Sequence, residues 1–116
     1  MLAKTNRFHG NKSVKRVYKL GRPARGKYIS LHVYRDKNIR KRTRVGVVVS
    51  RKVSNSAVVR NRIRRRVYEQ LRSQLTDLSA PVDLLATVYQ SDVASIPAEQ
   101  LASEVENLLK QAHLVN

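Results

Sequence analysis

Residues 57–75 limit the possible folds of this chain more than any other stretch, because they have a strong helical period. Their apolar side chains recur every four positions and so fall along one face of an α-helix. These side chains are Val59, Ile63, Val67 and Leu71. Six arginines lie in the same stretch, against a single acid, Glu69. We predict a helix with one face for a core and another for a negatively charged partner, and we name it the arginine helix.

The arginine-rich face has two interpretations, a solvated surface or a binding surface for a polyanion. Solvated helix faces usually mix charges, because acid–base pairs one turn apart stabilise a helix. Here arginines on adjacent turns repel one another, so the face is unfavourable in the isolated protein. A guanidinium also binds phosphate through two hydrogen bonds and stacks on bases, as lysine does not. The pattern therefore favours a nucleic-acid partner.

The net charge of the chain supports the same partner and indicates where it binds. The formal net charge is +16 over 116 residues. A net charge this positive is typical of proteins that bind nucleic acid or, less often, an anionic membrane surface. Residues 1–72 hold 23 of the 24 Lys and Arg residues but two of the eight acids. We therefore expect binding in the first two thirds of the chain and a scaffold role for the rest.

The composition also excludes several classes of protein. The chain has no cysteine, which excludes disulfide frameworks and thiolate zinc sites. No apolar run approaches the roughly 20 residues of a membrane span. The first 20 residues are basic throughout and lack the apolar segment of a signal peptide. We expect a cytoplasmic protein with no membrane partner.

The N-terminal part of the chain predicts three short segments of a single domain that spans residues 1–116. Residues 1–11 are polar and basic, which indicates an N-terminal arm. Residues 12–20 have apolar positions at helical spacing and predict a short helix that ends at a glycine. Residues 21–26 contain two glycines and a proline and predict a loop.

The rest of the chain predicts a sheet with helices packed against it. Strict alternation over residues 28–34 predicts a strand. A valine-rich strand at residues 45–50 precedes the arginine helix, and an apolar run at residues 82–89 predicts a strand that is buried on both faces. Strand, helix and strand in this order predict a βαβ unit. Pro97 begins a final helix, whose core residues are Leu101, Val105, Leu108, Leu109 and Ala112.

The sequence gives no pattern for an active site of its own. The histidines at positions 9, 32 and 113 are far apart in sequence, and nothing in their spacing pairs them as a general acid and base. A two-metal nuclease needs clustered carboxylates, whereas the basic region has only Asp36 and Glu69. No Gly-rich phosphate loop is present. The residues alone indicate an α/β module that binds RNA or DNA.

Two segments together match a longer pattern. The first reads Gly46-Val47-Val48-Val49-Ser50-Arg51-Lys52, and the second reads Ala57-Val58-Val59-Arg60-Asn61-Arg62-Ile63-Arg64-Arg65. They resemble the Gly-x-x-x-Ser-Lys-Lys strand end and the Ala-Val-x-Arg-Asn-Arg-Ile-Lys-Arg helix of the protein subunit of bacterial ribonuclease P. The resemblance extends over essentially the whole chain. Arg-Asn-Arg alone would be common, but within the longer pattern it is specific.

The resemblance implies a fold and an activity. The fold is α+β, a single-domain sandwich with the order αβββαβα, a small mixed sheet and a βαβ crossover that is left-handed in the family. The catalyst in this family is an RNA, which uses Mg²⁺ to hydrolyse one phosphodiester and remove the 5′ leader of precursor tRNA. The protein assists by binding that RNA and the leader. The implied partners are the ribonuclease P RNA and precursor tRNA, and Mg²⁺ is held mainly by the RNA.

The resemblance also implies two sets of binding residues and no catalytic or metal-binding residue in the protein. The set that faces the catalytic RNA is Arg51, Lys52, Arg60, Asn61, Arg62, Arg64 and Arg65. The set that lines a cleft for the leader, between the first helix and the sheet, is Val14, Tyr18 and Leu31.

Two of the departures from the family pattern fall in the leader cleft, and other interpretations of the chain stay open. Val14 stands where the family usually has Phe, and Leu31 replaces a common aromatic, so the leader would be bound more weakly or Tyr18 would supply the base stacking. Leu31 also fits a plain core residue.

One alternative function is a structural RNA-binding protein such as a ribosomal protein. Another is a nuclease in its own right, for which His9, His32 or a carboxylate would be essential.

Overall fold

A computed structural model describes residues 22–34, 44–75 and 83–112 of the chain. The N-terminal arm and the helix predicted at residues 12–20 lie outside these segments. The described part is an α+β domain with four strands and two α-helices. In chain order they are β1 (Arg22–Arg25), β2 (Ile29–Tyr34), β3 (Arg44–Val49), α1 (Ala57–Gln74), β4 (Asp83–Val88), a 3₁₀ turn (Ser91–Ala94) and α2 (Ala98–Gln111).

The four strands form one mixed sheet in the order β1-β2-β4-β3. β1 with β2 and β2 with β4 are antiparallel pairs, whereas β3 and β4 are parallel, with Val45 opposite Leu84. A parallel pair needs a long crossover connection, and α1, the arginine helix, supplies it. The predicted βαβ unit is confirmed, and the hand of its crossover stays a prediction.

The alternation in β2 corresponds to the two faces of the sheet. Ile29, Leu31 and Val33 belong to the hydrophobic core together with buried residues of both helices, including Ile63 and Leu101. The core therefore lies on the face of the sheet that both helices cover.

β4 lies between β2 and β3 and is buried on both faces, as its continuous apolar run predicts. Leu84 belongs to the core that the helices cover, and its neighbour Leu85 points to the opposite face, yet both are 0% exposed. A strand in the middle of a sheet is the place where such a run is expected.

The prediction of a loop at residues 21–26 is wrong, because Arg22–Arg25 forms strand β1. β1 pairs with β2 from Arg22 opposite Val33 to Arg25 opposite Ser30. Pro23 indicated a loop, but a proline is tolerated in an edge strand, where its missing N–H need not face a neighbour. β1 is an edge strand by its place in the sheet. Which strands lie at an edge is a property of the sheet, so the local sequence did not show it.

The turn between β1 and β2 is held by a carboxylate from α2. Glu104 Oε1 accepts hydrogen bonds from the backbone N–H groups of Lys27 at 2.8 Å and Tyr28 at 3.1 Å. The Tyr89 hydroxyl donates to the carbonyl of Gly26 in the same turn. A Cβ atom on Gly26 would lie 3.0 Å from Glu104 Oε1, so this close approach favours glycine. These contacts fix the hairpin to the C-terminal part of the chain.

The arginine helix begins and ends close to the predicted limits. Ser56 is its N-cap, and the Ser56 hydroxyl accepts a hydrogen bond from Val59 N at 3.3 Å. The helix ends at Gln74, with Leu75 as the C-cap. Its predicted apolar face packs inward, because Ile63, Val67 and Leu71 are each 0% exposed, while Val59 in the first turn is half-buried.

The predicted core of α2 is confirmed for four of its five residues. Leu101, Val105, Leu108 and Leu109 are buried, and Ala112, just beyond the helix, is half-buried. Neither helix of the described segments has the length and apolar character needed to cross a membrane.

Candidate nucleic-acid interface

Exposed basic residues lie in the loop after β3 and on the outer face of α1. Arg51 and Lys52 follow the end of β3, and a backbone hydrogen bond from Val53 N to Ser50 O turns the chain there. Asn61, Arg62 and Arg65 lie on the exposed face of α1. We name these five residues, Arg51, Lys52, Asn61, Arg62 and Arg65, the arginine surface. Within the described segments its four cations make no side-chain hydrogen bond or ion pair, so they can contact phosphate directly.

Arg60 and Arg64 border the arginine surface and are partly engaged within the protein. Arg60 Nη1 donates to the carbonyl of Ser54 at 2.9 Å, which ties the start of the helix to the preceding loop. Arg64 Nη1 donates to Asn61 Oδ1 at 2.8 Å and so orients the Asn61 amide. Each arginine retains further N–H donors. Both therefore stay candidates for RNA contact while also shaping the surface.

Arg66 has a different role from its neighbours. Its guanidinium donates to the carbonyl of Val93 at 2.6 Å and to the carbonyl of Ile96. Both carbonyls lie in the connection between β4 and α2. Arg66 therefore joins the arginine helix to the start of α2. Helical spacing in the sequence places Arg66 beside the apolar face. Its two partners lie 27 and 30 residues away along the chain, so they could not be inferred from the sequence.

The electrostatics of α1 favour an anion at its N-terminal end. The first turn carries no acid, and the helix dipole adds partial positive charge there. Glu69, the one acid on the helix, is paired with Arg72, whose Nη2 lies 2.9 Å from Glu69 Oε2. The hydrogen bond from Arg72 lowers the pKa of Glu69 to about 2. The carboxylate is thus compensated about two turns from Asn61 and Arg62, and the N-terminal half of the surface is uniformly basic.

Val58 is a feature of this surface that the sequence analysis missed. It is 76% exposed in the first turn of α1, three and four residues before Asn61 and Arg62. Its position outside the four-residue apolar spacing is the signal that could have identified it. An exposed valine beside arginines gives the surface a small apolar contact as well as charge.

Of the three residues predicted to line the leader cleft, the structure describes Leu31. Val14 and Tyr18 lie outside the described residues. Leu31 is 0% exposed within the core that the two helices cover, so its side chain offers no surface to a nucleic acid. This burial favours the interpretation of Leu31 as a core residue over a contact with the leader.

The opposite face of β2 carries Ser30, His32 and Tyr34 instead. His32 and Tyr34 are half-buried there. Burial, and then the charge of Arg25, lowers the pKa of His32. The imidazole is therefore neutral at physiological pH and adds no charge to this face.

The acidic and histidine side chains of the described segments do not gather into a metal site. No group of three or more His, Asp or Glu residues lies close enough there to hold a metal ion. Glu104 binds backbone amides of the hairpin, and Glu69 pairs with Arg72. His9 and His113, two of the three histidines considered for catalysis, lie outside the described residues. What the described geometry offers is a surface for binding.

Comparisons with known proteins agree with this geometry. Residues 2–113 match the family model described as Ribonuclease P. The ribonuclease P protein component of Pseudanabaena sp. (strain PCC 6903) is 36% identical over 117 residues, which cover 100% of this chain and 98% of that protein. The protein of the same name from Clostridium novyi (strain NT) is 32% identical over 115 residues, with 99% and 100% covered.

Solved structures give the same result for the fold. The RNase P protein of Staphylococcus aureus superposes with a TM-score of 0.82 at 25% identity, over 96% of this chain and 98% of that one. An RNase P protein from Thermotoga maritima superposes with a TM-score of 0.73 over 86% and 94% of the two chains. At 20% identity, that second likeness concerns the fold alone.

Proposed function

The chain belongs to the ribonuclease P protein family, and from this premise we propose that it is the protein subunit of ribonuclease P. In this role it binds the catalytic RNA and the 5′ leader of precursor tRNA. The RNA hydrolyses the phosphodiester that joins the leader to the mature tRNA. The protein improves substrate binding and supplies no catalytic group.

The arginine surface is the observation that carries the proposal. Arg51 and Lys52 are exposed in the loop before the arginine helix, Arg62 and Arg65 are exposed on the helix itself, and its first turn has no acid. Cations with no partner in the described segments lose only water when they bind phosphate, whereas a paired arginine must first break a contact. The matched family pattern covers this same surface. We assign the catalytic RNA to it, with Arg60 and Arg64 at its border.

The role of the leader rests on the family resemblance. Val14 and Tyr18 remain the residues proposed to line the leader cleft, and Leu31 is assigned to the core. The Mg²⁺ of the reaction is proposed to be bound by RNA phosphates. Glu69 and Glu104 have other roles, so we derive no step in which the protein holds the metal.

The decisive experiment measures cleavage of a 5′-labelled precursor tRNA at low Mg²⁺, with a bacterial ribonuclease P RNA. The protein is expected to restore cleavage at the mature 5′ end and to be inactive without the RNA. Binding to the RNA with no effect on cleavage would support a structural RNA-binding protein instead. Cleavage by the protein alone would support a nuclease in its own right.

A salt titration tests whether the arginine surface is the RNA site. Arg62→Ala should weaken RNA binding and reduce the dependence of log K on log salt by about 0.7–0.9 for each phosphate that the variant no longer neutralises. Lys110→Ala is the matched control, because Lys110 lies on α2 and pairs with Glu106 at 2.8 Å. An unchanged slope for Arg62→Ala, or an equal change for Lys110→Ala, would place the RNA on another surface.

A further inference from the structure

A groove between the arginine helix and α2 adjoins the arginine surface. It has a volume of about 240 Å³. The residues that line it are Arg65, Arg66, Glu69, Gln70, Ala98 and Leu101. Arg65 belongs to both the groove and the arginine surface, so a polymer that covers the surface reaches the mouth of the groove.

Hydrogen bonds tie the arginine helix to α2 and to the connection that precedes it, on either side of the groove. Toward the N-terminus of α1, Arg66 donates to the carbonyls of Val93 and Ile96. Toward its C-terminus, Gln74 Nε2 donates to the carbonyl of Ala102 at 3.2 Å. A site with fixed walls binds a ligand with a smaller entropy cost than one that must form on binding.

The size and floor of the groove suit one small planar group. Its volume lies below the roughly 300–1,000 Å³ of pockets that enclose drug-sized ligands. Ala98 is exposed and supplies aliphatic surface, whereas Leu101 is 1% exposed and lies beneath it. An aromatic ring that leaves water for such a floor gains hydrophobic free energy.

The charges at the rim of the groove favour a nucleotide whose phosphate lies outside the groove and whose base lies inside it. Arg65 is exposed and makes no side-chain hydrogen bond or ion pair with the described residues, so it is available to an anion. Glu69, on the next turn, is paired with Arg72, and Arg66 is bound to two carbonyls, so Arg65 is the cation of the groove that is available to a phosphate. The arrangement places the phosphate of a bound nucleotide outside, on Arg65, and the uncharged ring inside.

We propose that this groove receives one unstacked nucleobase of the catalytic RNA, with Arg65 bound to the phosphate of the same nucleotide. The proposal rests on the proposed function, because the RNA that covers the arginine surface supplies the base. It extends the interface beyond the matched sequence pattern to α2, for which the charge distribution predicted a scaffold role. Recognition of an unstacked base by a protein pocket is a common mode of RNA binding.

Filling the groove tests the proposal without removing any charge. Ala98 is exposed at the first position of α2, where leucine is also a good helix former. Ala98→Leu should weaken binding of the ribonuclease P RNA by about 5-fold, the low end of the range for a base stacked on an aromatic ring, because no aromatic side chain lines the groove. The salt slope should not change, because every phosphate stays neutralised. Ser103→Leu, which adds the same side chain elsewhere on α2, should bind normally, and urea unfolding checks that both variants fold.

A crosslinking experiment gives an independent readout. Because the chain has no cysteine, Ala98→Cys and Ser103→Cys each accept a single photoactivatable aryl azide. The azide at position 98 should crosslink the RNA mainly at one unpaired nucleotide, and the azide at position 103 should not mark that nucleotide. Crosslinks spread over many nucleotides, or equal marking from both positions, would overturn the proposal.

The outcomes of these experiments distinguish failure of the groove proposal from failure of the proposed function. If Ala98→Leu binds the RNA normally while Arg62→Ala lowers the salt slope, the groove is not a base site and the RNA-binding surface stands. If Ala98→Leu weakens only the binding of precursor tRNA, the occupant is not the catalytic RNA and the proposal is wrong. If the unaltered protein does not bind ribonuclease P RNA, both proposals fall.

Discussion

At the scale of single residues, adjacent arginines of one helix have different roles. Arg65 is exposed and makes no side-chain hydrogen bond with the described residues, whereas Arg66 is half-buried and bound to two carbonyls. The residue type is the same, and a rotation of 100° around the helix decides between the two roles. A count of arginines therefore overstates the number available to RNA.

Arg65 and Arg66 give a prediction in which the substitution of Arg65 is the control for the same substitution of Arg66. Arg66→Met keeps much of the aliphatic stem but leaves the carbonyls of Val93 and Ile96 without their donors. We expect the free energy of unfolding to fall by about 1–3 kcal/mol. Arg65→Met should change stability by no more than about 0.5 kcal/mol and should weaken RNA binding. Urea unfolding and RNA titration of both variants measure this, and equal stability for the two would contradict the structural role of Arg66.

Tyr89 gives a prediction about pH. Burial, and then the negative charge of Glu104, raises the pKa of Tyr89 above its ordinary value of 10. The fold therefore favours the neutral phenol, which donates to the carbonyl of Gly26. This stabilisation should be complete below about pH 10 and should be lost as the pH rises through the raised pKa.

The comparison with Tyr89→Phe isolates that contribution. The wild-type protein should be more stable than Tyr89→Phe at about pH 8, and the difference should shrink toward about pH 11. Urea unfolding of both proteins across this range is the measurement. A difference that stays constant with pH would mean that the hydroxyl does not ionise within it or contributes nothing to the fold.

At the scale of elements, the start of the arginine helix balances stability against binding. Ser56 caps the helix, and no acid stands in the first turn. Acids near a helix N-terminus usually stabilise the helix by about 0.3–1 kcal/mol. Here such an acid would lie beside Arg60, Asn61 and Arg62 and would repel RNA phosphates. The neutral cap satisfies a backbone donor without adding negative charge.

Substitutions at Ser56 should therefore separate effects on stability from effects on binding. Ser56→Asp retains the cap and adds a favourable charge at the helix end, so thermal stability should be equal or higher while RNA affinity falls. Ser56→Ala should lower stability by about 1 kcal/mol with little effect on the affinity of the folded protein. If Ser56→Asp binds RNA as tightly as the wild type, phosphate does not approach this end of the helix.

At the scale of the whole molecule, the charge is divided along the sequence but the two parts fold as one domain. The basic part contributes β1 to β3 and α1, and the acidic part contributes β4 and α2. β4 lies between β2 and β3 in the sheet. The C-terminal part thus completes the core and supplies Glu104, Val93 and Ile96, which position basic segments. The C-terminal part is a scaffold in this sense, and we propose that it also contributes to binding through the groove at Ala98.

The excess positive charge predicts opposite effects of salt on folding and on binding. The basic residues repel one another in the free protein, and salt screens this repulsion. Between about 50 mM and about 300 mM NaCl, the urea midpoint should rise while RNA affinity falls. Unfolding curves and RNA titrations on one preparation measure both. A midpoint that falls with salt would mean that attractive charge pairs outweigh the repulsion in the fold.

The sequence by itself determined most of the described elements and predicted the chemistry of the partner. Four-residue spacing in α1, alternation in β2 and the apolar run of β4 depend on which residues neighbour one another along the chain, so they could be predicted. The excess of arginine over acid is likewise a property of the sequence alone. Together with the matched pattern, these features predicted the α+β fold, which the structure confirms, and an RNA-binding role for the arginine helix, which stays a prediction.

The tertiary structure alone decided which side chains are exposed and which groups the other side chains contact. Arg66 binds carbonyls from the connection after β4, Leu31 faces the core that two helices cover, and residues 22–25 become a strand because β2 lies beside them. The groove at Ala98 exists because α1 and α2 pack side by side. Each of these depends on groups far apart in sequence, and their contacts follow from packing, which no local period encodes.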